Sequence, residues 1–312
     1  MNAQIFLVAI LLDQALGDPK NFPHPVILIG KIIDFWRKIF LTDTHSFIQG
    51  LAVCIMTLTT TGLLVFIILY ISDCNFLVQV YLLYSALAWR DLKDETAKVV
   101  EALMRKNLPE ARKYLSFVVG RDTQNLNETE ILRALIETIA ENSVDGVFSV
   151  MFFAIIGQFI NASYGMALCV WIFKAASTLD SMIGYETFHE FGTASARLDD
   201  ILNFLPARLG GIIIILAGAL TGCNVKRAMK VFLNDRLKHK SPNSAHGESA
   251  FAGVLDVRLG GGAFYYGNFE PRPSINLDGR EPEIVDVTRA WKLLDVSCSL
   301  FAFVIISLSC KI

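Results

Sequence analysis

The sequence predicts an all-α fold: a polytopic membrane helical bundle whose cytoplasmic helical and loop regions form the functional site. Three observations predict it. Of the 312 residues, 53% are hydrophobic and only 19% charged, with mean hydropathy +0.47, a balance too apolar for an ordinary soluble domain. The apolar residues come in blocks, one of which, Gly50–Ile71, runs 22 residues without a charge; a helix needs roughly 20 to span a bilayer core. Polar clusters stand at the edges of the blocks rather than in their middles. A net charge of −2 and the lack of a basic patch with interleaved aromatics argue against nucleic acid as a partner. The six cysteines form no C-x-x-C pair and read as small buried hydrophobes.

The elements follow in order. MNAQIFLVAILLDQALGDP lacks a basic n-region and is interrupted by Asp13, so it is expected to be a retained, short membrane helix and not a cleaved signal. Asp18-Pro19 and Pro23-His24-Pro25 make a rigid turn, followed by an amphipathic helix carrying Lys31, Asp34, Trp36, Arg37 and Lys38. Gly50–Ile71 and the run from Phe76 to Trp89, ended by Arg90, are expected to form a transmembrane hairpin. Residues 91–146 read as a cytoplasmic helical insertion: Val99, Val100, Leu103 and Met104 recur at helical spacing, Pro109 restarts a helix, and Asn127 is placed to cap the next one. Val147–Ala176, broken near residues 157–165, is long enough for a second hairpin. Leu209–Cys223 has only about 15 apolar residues and Leu293–Cys310 could just span. Between them residues 224–292 form a cytoplasmic loop region, too rich in Gly, Pro and Asn to be helix throughout. The whole of 1–312 is read as one membrane-embedded domain. Lys and Arg gather in four stretches that the positive-inside rule places in the cytoplasm. If Leu209–Cys223 crossed once, the last of these would fall on the other side, so that block is expected to be re-entrant or tilted.

Four polar constellations carry the chemistry. Glu137, Glu141 and Asp145 come four residues apart, with Asn142 beside them, and would line one side of a helix. Like charges so spaced repel, and basic partners or a divalent cation with oxygen ligands would compensate them. Lys174 and Asp180 follow directly on membrane helix, with Arg197, Asp199, Asp200 and Arg208 close behind. Adjacent aspartates can hold Mg²⁺ bridging phosphate oxygens, and arginines clamp phosphate or carboxylate. In the third stretch, Ser241-Pro242-Asn243 reads as a turn, Glu248 opens a helix of small residues, and Gly260-Gly261-Gly262 permits close backbone approach. The fourth is the Asp18–His24 turn. No Walker loop, H-E-x-x-H zinc motif or G-x-S-x-G elbow is present.

LLDQALGDP with PHPVILIGK, GRDTQNLNETEILRALIETIAENSVDGV, STLDSMIGY with FGTASARLDDILNFLPARL, and HKSPNSAHGESAFAGVLDVRLGGG resemble, in that order, the hallmark blocks of the CobD/CbiB family. The likeness runs from Leu11 to about Tyr266. Two positions depart from the family's usual wording: Ser177 precedes Thr178-Leu179-Asp180 where Asn is common, and Ser244-Ala245-His246-Gly247-Glu248 replaces N-A-G-W-P-E. The resemblance implies a multi-pass enzyme of the bacterial inner membrane with its site facing the cytoplasm. It would join adenosylcobyric acid, a corrinoid, to (R)-1-amino-2-propanol O-phosphate or an ethanolamine analogue, consuming ATP and Mg²⁺. Membrane lipid surrounds such a protein, and other membrane enzymes of late cobalamin assembly are expected partners. Activation of a carboxylate and attack by an amine require neutralised phosphate charge and a base. On that chemistry Glu141, Asp145, Asp199 and Asp200 are expected at metal, Lys174, Arg197 and Arg208 at phosphate, and His24 or Glu137 as base. Asp18, Asn142, Asp180, Tyr185, His239, Ser241, Asn243, Glu248, Gly260 and Gly261, members of the same blocks, are expected to contact substrate.

Two other classes compete. A Mg²⁺-dependent polyprenyl-diphosphate transferase would suit Asp199-Asp200, but the D-D-x-x-D pattern fails at Asn203. A non-catalytic sensor or transporter like the AmpE proteins should carry charges in mid-span, whereas these gather at segment ends.

Overall fold

The computed structural model describes residues 2–19, 24–42, 46–184 and 190–310. Helices follow in the order α1 (Asn2–Leu16), α2 (Pro25–Phe40), α3 (Phe47–Ile71), α4 (Phe76–Tyr84), α5 (Trp89–Met104), α6 (Leu108–Leu115) and α7 (Glu128–Ser143). A π-turn at Val144–Phe148 leads into α8 (Ser149–Ile160), then α9 (Gly165–Ile183), α10 (Glu190–Leu202), α11 (Phe204–Leu220), α12 (Val225–Asp235) and α13 (Ser244–Leu255). Four short strands follow, β1 (Leu259–Gly260), β2 (Ala263–Tyr265), β3 (Asn268–Glu270) and β4 (Ser274–Ile275), before α14 (Ile284–Ser309). Among the described residues the fold is all-α apart from these strands, which pair antiparallel as β1 with β4 and β2 with β3. Among the described residues four helices are long and apolar enough to cross a membrane, five if α10 and α11, bent at Asn203, count as one. The chain is thus a multi-pass membrane protein.

It divides into two compact units, the first holding residues 1–88, 149–203 and 302–312, the second 89–148 and 204–301. In the first, the α8–α9 hairpin closes through glycine: a Cβ on Gly157 would lie 2.0 Å from the Gly165 carbonyl oxygen, and the reverse contact is equally short, so any larger residue would part the helices. α3 leaves Ile48, Ile55, Leu63, Ile67 and Ile71 exposed, and only 28% of its apolar window is buried in protein, as suits a lipid-facing span. The expected hairpin of α3 with the run after it is corrected. α4 has nine residues, ending where Ser85 N–H and Oγ both bond the Tyr81 carbonyl, and Gln79, Val80, Leu82, Leu83 and Tyr84 are buried. Its Tyr84 hydroxyl donates to the Gly17 carbonyl (2.5 Å), and Trp171 Nε1 donates to the Leu82 carbonyl (2.9 Å). α4 is an internal strut too short to span.

The second unit is built around α13. All of its residues from Ala245 to Leu255 are buried. Small residues let it approach its neighbours: a Cβ on Gly247 would sit 2.7 Å from the Ala140 carbonyl oxygen of α7, and one on Gly253 2.9 Å from Ala228 Cα of α12. Contrary to expectation, Glu248 does not open this helix; Ser244 does, after the Ser241–Asn243 turn, and Glu248 lies in its second turn. α7 starts as expected at Asn127, whose Oδ1 accepts from Glu130 N–H (3.0 Å) while Glu130 Oε2 accepts from Asn127 N–H (2.8 Å), a capping box. The segments 91–146 and 224–292 both lie in this unit.

Candidate functional site

Within the second unit, loop and helix bring charged side chains from distant sequence into one recess. Arg121 belongs to the loop before α7. Its neighbour Asp122 fastens the β2–β3 hairpin, donating its N–H to the Phe264 carbonyl (2.8 Å) and accepting from Gly267 N–H (2.7 Å). Tyr266 and Gly267 at the hairpin tip both have positive φ, +51° and +79°, as a tight two-residue turn requires. Gly260 in β1 has φ +75°, and a Cβ there would lie 2.5 Å from the Pro273 carbonyl oxygen, so only glycine fits beside β4. Glu137 of α7 joins these parts. Its Oε2 pairs with Arg121 Nη2 (2.6 Å) and its Oε1 accepts from Gly260 N–H (2.7 Å).

The recess is lined by Arg121, Glu137, His239, Glu248, Gly260 and Arg272 among others. His239 Nδ1 lies 3.5 Å from Glu248 Oε1, with side chains 5% and 4% exposed, and 3.0 Å from Ser244 Oγ. Its Nε2 is buried without a hydrogen-bond partner. Burial, reinforced by Arg272 and Arg121 against Glu137, lowers the His239 pKa to about 4. Burial, then the Glu137 and Glu141 charges, raises Glu248 well above the usual carboxylate range against the pull of Arg121 and Arg272. Near neutral pH the imidazole is therefore neutral, and the carboxyl has a strongly increased affinity for its proton. Burial would lower the Arg121 pKa, but Glu137 more than reverses this and it is raised.

The expected site residues fall into separate groups. Glu137, His239, Glu248 and Gly260 meet in the recess. Glu141 is exposed, and its charge acts on Glu248 and Tyr265. Asn142 donates Nδ2 to the Thr138 carbonyl (2.9 Å). Asp145, expected on the face of Glu137 and Glu141, lies instead in the π-turn, where the wider turn breaks the α-helical step that would have aligned it. Gly261 has φ +91° and faces Arg133. Ser241 Oγ accepts from Asn243 N–H (3.3 Å), and Asn243 Oδ1 accepts from Arg208 Nη1 (3.3 Å).

The first unit holds its own group. His24 caps α2, its Nδ1 accepting from Val26 N–H (3.3 Å), and its Nε2 lies 3.5 Å from Asp18 Oδ2. Burial raises the Asp18 pKa against the opposing charges of His24 and Lys174. The Asp180 charge acts on Cys54. Arg197 is exposed on α10 and Asp200 half-buried. Asp199 Oδ2 accepts from Asn203 Nδ2 (3.0 Å), whose Oδ1 accepts from Ser149 Oγ (2.6 Å). Tyr185 lies outside the described residues.

Two expectations meet contrary geometry. Glu137 has both carboxylate oxygens engaged, which makes it an anchor for Arg121 and Gly260 and a poor free base. Among the described residues no group of three His, Cys, Asp or Glu side chains is placed to hold a metal ion. Sequence reasoning missed Arg121 and Arg272. Arg121 opens the RDTQN stretch of the second family-like block, but a loop arginine carries no periodic signal.

A family model described as CobD/Cbib protein matches residues 6–294. A relative from Clostridium tetani, named cobalamin biosynthesis protein CobD, is 41% identical over 279 residues, covering 86% of this chain and 86% of its own. Relatives of the same name from Geobacter metallireducens (41% identical; 92% and 89% covered) and Clostridium perfringens (37% identical; 97% of each) match likewise. No solved structure matches.

Proposed function

The chain belongs to the CobD/CbiB family of cobalamin biosynthesis, and from that membership and the recess we propose that it is the amide-forming ligase joining adenosylcobyric acid to (R)-1-amino-2-propanol O-phosphate or its ethanolamine analogue. The observation that carries the reading is the buried His239–Glu248 pair flanked by Arg121 and Arg272. ATP gives its γ-phosphoryl to a propionate oxygen, releasing ADP. The amine nitrogen then attacks the acyl carbon, the C–O bond to phosphate breaks, and inorganic phosphate leaves. Arg121 and Arg272 steady the charge that collects on those oxygens. The proton shed by the amine passes to His239, whose Nδ1 lies 3.5 Å from Glu248 Oε1. Because the described carboxylates form no three-ligand cage, Mg²⁺ would enter on the nucleotide phosphates as part of the co-substrate, in keeping with its habit of binding through substrate phosphates and few carboxylates. The corrin ring stays outside the recess and inserts only its propionate arm. The basic loops favour a bacterial inner-membrane setting with the site facing the cytoplasm.

Growth of a synthase-deleted strain fed cobyric acid tests this, with cobinamide as the bypass control. The chain restores growth and its Glu248→Gln variant does not. A well-expressed chain that fails on cobyric acid while cobinamide succeeds would overturn the assignment.

A further inference from the structure

The two arginines of the recess are held differently. Arg121 is committed: its Nη2 pairs with Glu137 Oε2 at 2.6 Å, and its side chain is 14% exposed. Arg272 also lines the recess, but among the described residues it meets no carboxylate within ion-pair distance and makes no hydrogen bond. Its contact is with an aromatic ring. Arg272 Cζ lies 5.3 Å from the Tyr265 ring centroid, within reach of a cation–π attraction. Stacking on a ring face leaves the five N–H donors of a guanidinium free for other partners. The sequence supports this arrangement locally. Arg272 stands between Pro271 and Pro273; each proline fixes its own φ at about −65°, and Pro273 confines the Arg272 backbone to extended conformations. Tyr265 is on β2, two residues after Ala263, which lines the recess. The strand period of two therefore turns the Tyr265 ring to the recess side. Phe264, between them, turns the other way and packs on its cross-strand partner Phe269.

We propose that Arg272 is the residue that grips the anionic oxygens of the substrate in the recess, and that Tyr265 is a positioning residue whose ring holds the guanidinium there. Arg121, tied to Glu137, adds positive field without making that contact. Electrostatics agrees. Of the neighbouring charges, that of Arg272 acts most strongly on Glu141, His239 and Tyr265. Burial raises the Tyr265 pKa against the pull of Arg272 and Arg121, so near neutral pH the ring is an uncharged phenol and does not compete with an anion for the guanidinium. The oxygens served are those of a carboxylate or a phosphoryl group, both of which match the guanidinium fork. The proposal rests on the ligase reading for the identity of that anion, which is carried by adenosylcobyric acid, by the aminoalcohol phosphate or by ATP.

The test keeps the two apart. Purified full-length protein in detergent is treated with phenylglyoxal, which labels guanidinium groups, and each arginine is followed by peptide mass spectrometry with the three substrates added singly. Arg272 labels at least about tenfold faster than Arg121, whose release from a buried ion pair is costly, and at least one substrate shields it. In ligation assays Arg272→Gln lowers kcat about 100-fold, as loss of one transition-state donor does, while its Tm stays near that of the wild type and that of Arg121→Gln falls. Guanidinium ion restores part of the lost turnover in Arg272→Ala. Tyr265→Leu lowers kcat roughly tenfold, Tyr265→Phe keeps most of it, and Tyr265→Leu combined with Arg272→Gln is no slower than Arg272→Gln alone. Labelling of Arg272 that no substrate slows would overturn the anion contact. A double variant whose losses multiply, or a Tyr265→Phe variant as slow as Tyr265→Leu, would overturn the role of the ring. If a substrate shields Arg272 but the wild type performs no ligation, the anion contact stands and the ligase reading falls.

Discussion

Replacing Glu137 tests the recess at its anchor. The carboxylate is 3% exposed, paired with Arg121 on one oxygen and with Gly260 N–H on the other. Removing one partner of a buried ion pair strands the other charge and costs about 3–5 kcal/mol. Glu137→Gln keeps the shape and can still accept from Gly260, so its loss belongs at the lower end, about 3 kcal/mol. Glu137→Ala also orphans the Gly260 amide and adds about 1–3 kcal/mol. For a folded body of this size each kcal/mol shifts Tm by about 2–4 °C, giving a fall of about 6–12 °C for the Gln variant. Arg121→Met should lose a similar amount, since Glu137 is then left buried with one hydrogen bond. The double variant Arg121→Met with Glu137→Leu leaves no stranded charge and should lose markedly less than the sum. Thermal unfolding of the detergent-solubilised protein, followed by circular dichroism, reads all of these. Single losses that add to the double within about 0.5 kcal/mol would show that the two charges are not coupled and would refute the anchor.

Acid should weaken the fold in a defined window. His239 and His246 drop from 6.5 to about 4 on folding, so between those values the unfolded chain binds more protons and stability rises with pH. Each contributes about 3 kcal/mol, at about 1.36 kcal/mol per unit, present above about pH 6.5 and lost as pH falls to about 4; His246→Asn should flatten the slope by about one proton, and an unchanged slope would count against burial as the cause. Glu248 behaves oppositely. Its raised folded pKa means its contribution is present below about 4.5 and declines as pH rises through the folded value, so Glu248→Gln should unfold at a higher temperature than wild type at about pH 8 while losing ligation; equal or lower Tm at that pH would contradict the raised proton affinity of the buried carboxyl. Gly260→Ala, forced into φ +75° with its Cβ 2.5 Å from the Pro273 oxygen, should cost at least about 1–2 kcal/mol for the left-handed backbone alone and displace the amide that Glu137 holds, visible as a lower Tm and lost ligation.

Membrane class, family and most helices were legible in the bare chain, because they rest on local signals. An uncharged run of bilayer length, the capping box at Asn127 and the proline that starts α6 each act within a few residues, and long motifs survive as contiguous blocks. The same locality misleads at α4, whose apolar run reads like a span but is a short buried strut tied to Gly17 and Trp171. It misleads again at Asp145, because a four-residue step assumes an α-helical turn and the chain makes a π-turn there. Which charges meet is settled only by packing in three dimensions. Arg121, Glu137, His239, Glu248 and Arg272 come from three loops and two helices. What brings them together is the close approach of small residues on α13 to α7 and α12, and the left-handed glycine that carries an amide to Glu137. Likewise, that Glu137 is engaged on both oxygens while His239 and His246 keep unpartnered nitrogens follows from burial and hydrogen-bond geometry, which depend on neighbours far away in sequence and leave no periodic trace along the chain.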